Sequence, residues 1–531
     1  MTEKTKNSKE EEAMDTQTKI QKRRVSVFII SLFLLVSLSS FVYGEAWDSA
    51  APASGIWLGD SGPFSDLAVI NTDANGNLLI WDPRSERVVK LNQTDGSTIW
   101  EAECSVGSVP YIDNVIDSKG NVVVGGTFFD DAHHFLRKYD GNSGVLLWEV
   151  LAPVYNSYVS PQIYLDHSGN VFSSGTDGVT NYIAKYSADS GAIMWKQNRG
   201  PLETLILRVD SGGNVTAYDL DPTNNLCYVS KYNGRNGAII WQNTQQAYLG
   251  GIPYGRMAID VHFDNKGNLY LTGANLPDGS TKFISKYNGT TGALSWQKSV
   301  LGETIDFDSN GNVAVFHNVN DRTLSITRYN GATGKVMWET THGILSWGNF
   351  KGMFDPRGNV MVVGAANDTA VSITKYHGAT GRILWSIIPT FTTNRDHVIL
   401  DSAGDLIVES TGGGDTEILA KYKGSTGIPL WEKTHDPQIY AETRLDLEGN
   451  VLVQGRLNDT TLFIRKYKCS TGSVMWEATH SGSCVDIDFD KNGSVFAVGF
   501  NDGFITKSDT STGALVWEKT FWSPDPSPTP E

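Results

Sequence analysis

Ten tryptophans, each closing the same eleven-position string, limit what this chain can fold into. Trp100, Trp148, Trp195, Trp241, Trp296, Trp338, Trp385, Trp431, Trp476 and Trp517 follow one another at intervals of 48, 47, 46, 55, 42, 47, 46, 45 and 41 residues. Each string has Lys or Arg first, Gly seventh and Trp last, as Lys138-Tyr139-Asp140 leads through Gly144 to Trp148. No linker interrupts the series. A fixed period of this length marks one supersecondary unit stacked many times, because a single unit cannot bury its own apolar faces.

A second string lies between the tryptophans: Asp, two residues, Gly, then usually Asn and an alternating apolar run. It occurs at Asp73, Asp117, Asp166, Asp210, Asp264, Asp308, Asp355, Asp401, Asp446 and Asp490. Period-two alternation rich in β-branched residues predicts strands. Asp opens the turn between them and Gly supplies its left-handed position. The glycine pair in Tyr287-Asn288-Gly289-Thr290-Thr291-Gly292 predicts another hairpin turn. Each repeat therefore reads as four strands, A to D, with Trp in D. Apolar residues on both faces, as in Val360-Met361-Val362-Val363, fit blades packed on both sides. The expected fold is all-β: one β-propeller of ten four-stranded blades, the alternative being two rings of five.

The tryptophans read as wedges between blades rather than as exposed ligand-stacking surfaces. The cation opening each string falls in strand C of a packed blade. Two readings apply to it: a stem that packs while its ammonium reaches solvent, or a cation over a Trp face. Trp57 stands 16 residues before Asp73, as a strand-D tryptophan would, and is expected to latch the ring.

The first string resembles the tryptophan-docking repeat of the pyrroloquinoline-quinone-like propellers. The Asp-x-x-Gly-Asn string, as in Asp117-Ser118-Lys119-Gly120-Asn121, is similar to the repeats of exported bacterial propeller proteins. The resemblance covers about residues 55–520 and implies the propeller fold. It also implies two functions: a non-catalytic binding scaffold, or a pyrroloquinoline-quinone-dependent oxidoreductase. The dehydrogenases of that family carry a vicinal Cys-Cys pair beside the cofactor. Here Cys104, Cys227, Cys469 and Cys484 stand apart, and the docking string opens with Lys or Arg where the family usually has a small residue. The scaffold is the reading these departures favour, with no cofactor, no metal and no catalytic residue expected.

Other chemistry is thin. His133-His134 is the one histidine doublet, and on a strand its rings point to opposite faces. The turns at Asp73 and Asp490 echo a calcium loop but lack its closing Glu. The remaining constellation is an aspartate between strands B and C of every repeat: Asp82, Asp131, Asp177, Asp221, Asp278, Asp321, Asp368, Asp415, Asp459 and Asp502. It reads as turn chemistry or as an acidic ring that attracts a basic protein or peptide. The D-to-A crossing after Trp241 is expected on the same face and adds Tyr248, Tyr254 and Arg256. The candidate partner-binding face is therefore Asp321, Asp368, Asp415, Asp459, Tyr248, Tyr254 and Arg256, and the opposite face is expected to be passive.

The formal net charge of -16 argues against nucleic acid and anionic membrane surfaces as partners. Residues 1–24 read as a cytoplasmic segment or n-region ending in Lys22-Arg23-Arg24, and 25–44 as a signal peptide or transmembrane anchor. Val42 and Gly44 fit a cleavage site. Residues 45–522 form the propeller and 523–531 a disordered proline-rich tail. A secreted, a periplasmic and an anchored form all place the propeller outside the cytoplasm, the membrane being reached only through an uncleaved N-terminal segment.

Overall fold

A computed structural model of the chain divides it into a unit of residues 1–45 and one of residues 46–531. The described residues lie between 68 and 521, apart from position 83 and segments 105–111, 128–132, 154–161, 177–179, 201–202, 222, 248–258, 276–280, 303, 321, 344–349, 366–370, 390–397, 410–416, 436–438, 459–460, 482–483, 491–492 and 500–502. The N-terminal segment, Trp57 and the proline-rich tail thus lie outside them. Among the described residues no helix is long and apolar enough to cross a membrane.

Among the described residues forty strands form ten antiparallel sheets of four, each built from one contiguous stretch in the order A-B-C-D. Blade one runs from Ala68–Thr72 through Leu78–Asp82 and Arg87–Leu91 to Thr98–Glu103. Blade ten runs from Cys484–Phe489 through Val495–Gly499 and Phe504–Ser508 to Leu515–Thr520. The A strands of neighbouring blades approach one another, which puts A innermost and D outermost. Along D strands such as Thr98–Glu103 and Leu515–Thr520 the tryptophan is the one buried side chain. The outer edge also carries exposed apolar residues such as Leu146, Leu147, Ile383 and Leu515. Charged neighbours such as Glu149 and Glu518 follow the tryptophan, a device that discourages edge-to-edge pairing.

There is no single central core. Ten apolar clusters fill ten clefts, one between each pair of adjacent blades. The tenth joins Phe496, Val498, Ile505 and Trp517 of blade ten to Leu78, Ile80, Val89 and Leu91 of blade one. The chain is a single ring of ten blades, and two rings of five are excluded. The seam needs no borrowed strand, because both flanking blades are complete from their own residues.

The two ends of the sheets differ in regularity. All ten A-to-B turns hold five residues, as Asp73–Asn77 between its strands, and all ten C-to-D turns hold six, as 140–145. At the other end, B-to-C loops range from two residues (459–460) to seven (410–416), and D-to-A connections from two (201–202) to twelve (247–258).

The described thiols Cys104, Cys227 and Cys469 are free and buried. Cys469 follows strand C, in the regular turns. Cys484 opens strand A, at the irregular end, so the two are about a strand length apart. Titration of denatured, unreduced protein should find four thiols. Finding two or none would contradict this strand phasing.

Candidate functional site

The repeated residues assemble into a lock between blades. In the A-to-B turn of blade two, Asp117 Oδ1 accepts the backbone N–H groups of Lys119 and Asn121, both at 2.9 Å. Its Oδ2 accepts Asn121 Nδ2 at 3.1 Å and pairs with Lys138 Nζ at 2.8 Å. Asn121 Oδ1 accepts the N–H of Gly141, tying the two regular turns of the blade together. The turn therefore arrives with its carboxylate already aimed at strand C.

Strand C and strand D pair with one extra residue on D between the partners of Lys138 and Tyr139. This bulge sets Lys138 directly opposite Trp148, and the same shift recurs in all ten blades. Both side chains then reach the next blade. Lys138 Nζ donates to Ala188 O at 3.0 Å and Trp148 Nε1 donates to the same carbonyl at 3.1 Å. In seven clefts one carbonyl takes both donors, including the seam, where Lys507 and Trp517 both reach Gln93 O.

The indole face lies on the glycine of the receiving turn. Gly144 has φ 69°, and a Cβ there would stand 2.8 Å from Trp100. At the seam Gly96 meets Trp517 in the same way. Glycine is thus required twice over, by conformation and by the indole.

The first-position cation, read from sequence as solvent-reaching or as facing an indole, is an ion-pair partner instead. All ten pair with the turn aspartate of their own blade at 2.5–3.1 Å. The Lys231–Asp210 pair is the most open; the other nine are no more than 11% exposed. Aromatic contacts exist, as Lys286 over Tyr270 at 4.6 Å, but they are additional to the carboxylate. Burial pushes the Asp117 carboxyl up, yet the Lys138 and Asn121 hydrogen bonds and the Lys138 charge outweigh it. The result lies below the ordinary carboxylate range. Asp355 behaves the same way through Lys375 and Asn359.

Two further contacts repeat. Near the ring's inner edge, Asp113 in strand A of blade two accepts the N–H of Ile163 in strand A of blade three at 2.7 Å. Burial pushes its pKa up to about 6. On the outer side, the residue four after the tryptophan meets strand C of the next blade in several clefts. There eight blades carry a tyrosine directly after the cation. His342 Nδ1 and Tyr376 Oη lie 2.7 Å apart, Gln245 Oε1 accepts Tyr287 Oη at 3.4 Å, and Cys104 lies 3.8 Å from Tyr139 Oη.

The sequence candidates for a binding face, Asp321, Asp368, Asp415, Asp459, Tyr248, Tyr254 and Arg256, lie outside the described residues. Two other members of the aspartate series are described, and both are buried in their own turns. Asp82 accepts Ser85 Oγ at 2.6 Å and Asp221 accepts Asn224 Nδ2 at 2.8 Å. At those two positions the aspartate is turn chemistry. Among the described residues no group of three His, Cys, Asp or Glu side chains is placed to hold a metal ion.

The comparisons with known proteins concern the fold. The family described as outer membrane protein assembly factor BamB matches residues 280–414. No curated protein matches the chain. Among solved structures, a eukaryotic initiation factor aligns with TM-score 0.49 and 10% identity, over 86% of this chain and 96% of that one. BamB from Moraxella catarrhalis aligns with TM-score 0.36 and 16% identity, over 65% and 96%. The Dos1 propeller aligns with TM-score 0.34 and 14% identity, over 70% and 94%. Residues 280–414 thus match the BamB-like, pyrroloquinoline-quinone-like repeat family, and the same Asp, Lys or Arg, Gly and Trp positions recur in all ten blades.

Proposed function

We propose that the protein is a non-catalytic binding scaffold that works outside the cytoplasm and takes a basic protein or peptide on the face of the B-to-C and D-to-A loops. One observation carries this reading: the turns at one end of the blades never vary in length, while the connections at the other end vary from two residues to twelve. A rigid frame with variable loops on one side is how propellers and other scaffolds separate stability from recognition. The lock consumes the repeated charges on the regular side, so they are not free for a partner. The matched family's description, an outer membrane protein assembly factor, agrees with a binding role in the cell envelope.

The test uses a partner cross-linked to the propeller in the cell envelope and then purified. Replacing Asp321, Asp368, Asp415 and Asp459 together with Asn should weaken its binding roughly tenfold at low salt. That corresponds to a few tenths of a kcal/mol for each charge removed. The salt dependence should flatten in parallel. Asp355→Asn, in a lock, should lower stability and leave affinity unchanged. A captured partner that lost no affinity on the quadruple change would refute the acidic face.

A further inference from the structure

The outer cleft between blades nine and ten breaks the pattern of the others. Ser508 occupies the position where eight blades carry tyrosine, and it is 1% exposed. Its neighbour on the same face of strand C, Thr506, is also 1% exposed. Across the cleft stands His480, four residues after Trp476 and equivalent to His342 in blade six. His342 has its phenol partner in Tyr376, whose ring stacks on Trp338 with centroids 6.3 Å apart. His480 and Trp476 have no such ring to meet. His342 meets the phenol through Nδ1 and leaves its Nε2 unpaired, as His480 does; what is particular to this cleft is that Thr506 Oγ1 and Ser508 Oγ are also buried with no partner.

Two buried hydroxyls left unpaired on one strand face are costly, since each forfeits its hydration without replacement. The serine is also much smaller than the tyrosine that fills this position in eight other blades. What is missing from the cleft is a ring that stacks on an indole and carries a hydroxyl toward an imidazole. Burial depresses the His480 pKa and the Glu518 charge opposes this in part, and in a neutral imidazole one ring nitrogen accepts while the other donates. A phenolic hydroxyl does both.

We propose that the cleft between blades nine and ten is a binding site for a small hydroxylated aromatic molecule of about the size of phenol. The guest stacks on Trp476, exchanges a hydrogen bond with His480 and meets the hydroxyls of Thr506 and Ser508. The site is independent of the partner-binding face proposed above.

Phenol itself is the probe. Thermal unfolding of the full chain is followed at rising phenol concentration, beside Ser508→Tyr and Ser508→Leu, the second being the residue that blade one carries at this position. The wild type should show a saturating rise of its midpoint by about a degree or more, as expected for a ligand that binds the folded state alone. Neither variant should rise, because each fills the space with its own side chain. Either variant suffices if the other fails to fold. A wild-type midpoint that does not rise, an equal rise in a folded variant, or a crystal soaked in phenol that shows only water in the cleft would each overturn the site.

Discussion

Replacing Lys375 with Met should destabilise the protein by about 3–5 kcal/mol, the cost of leaving its carboxylate partner buried and unpaired. Lys375 and Asp355 are 4% and 1% exposed and lie 2.6 Å apart. The ammonium also donates to Gly424 O of the next blade at 2.6 Å, so its loss cuts a tie within a blade and one between blades. Converting Asp355 to Asn in the same chain should recover part of the loss. An amide can still accept the turn's backbone N–H groups at 2.7 and 2.9 Å and no longer carries a buried charge. The pH dependence gives a second readout. In the wild type the Asp355 pKa is depressed, so its ionised form adds stability above the unfolded carboxylate range, which is lost as pH falls through the lower folded value. In Lys375→Met burial dominates and the pKa rises, so that acid-side loss should vanish or change sign. Denaturant midpoints between about pH 3 and 7 measure both. A single variant as stable as wild type would mean that the carboxylate finds water.

Trp517→Ala should cost about 3–5 kcal/mol, the range for truncating a buried tryptophan, and should do so at the one cleft that joins the two ends of the ring. Trp517 is 7% exposed, covers Gly96 and donates to Gln93 O at 3.0 Å. Trp296→Ala removes an equivalent indole, 8% exposed, from the cleft between blades five and six. There the chain itself still joins the two blades. Among the described residues the seam is held by packing and by side-chain hydrogen bonds from Lys507, Trp517 and Lys519, so opening there leaves Leu78, Ile80 and Phe496 facing water. Hydrogen exchange should accelerate in blades one and ten for Trp517→Ala, and in blades five and six, more weakly, for Trp296→Ala. Uniform acceleration around the ring in both variants would show that the clefts open together and that the seam is not their weak point.

Much of the fold is legible in the residues themselves. The Asp-x-x-Gly turns, the glycine turns and the tryptophan series specify four strands per blade and ten blades, because turn chemistry and period-two alternation are local signals. The ion pair is legible only in part. A lysine or arginine and a turn aspartate recur once in every repeat, about 20 residues apart, and that co-occurrence points to contact. Strand periodicity alone places the cation in a packed sheet and does not say where its charged end goes. The bulge opposite each tryptophan is invisible in the sequence, since it depends on register between strands. Ser508 stands out as a serine after Lys507 where tyrosine is usual, but its meaning needs the partner across the cleft, 28 residues earlier at His480. The face proposed for recognition rests on loops whose variety is itself the reason no repeat pattern describes them.

Blade one meets blade ten through the contacts that any blade makes with its successor: an indole on a glycine, a cation and an indole on one carbonyl, and a slab of apolar side chains. Among the described residues the seam thus repeats the lock found at the other joints. Rotational order along the chain is interchangeable, and the number of blades follows from the wedge angle of each unit, roughly 36° when ten share a full turn. A ring of this kind is a cycle in which the covalent break falls at one of ten joints built on the same plan.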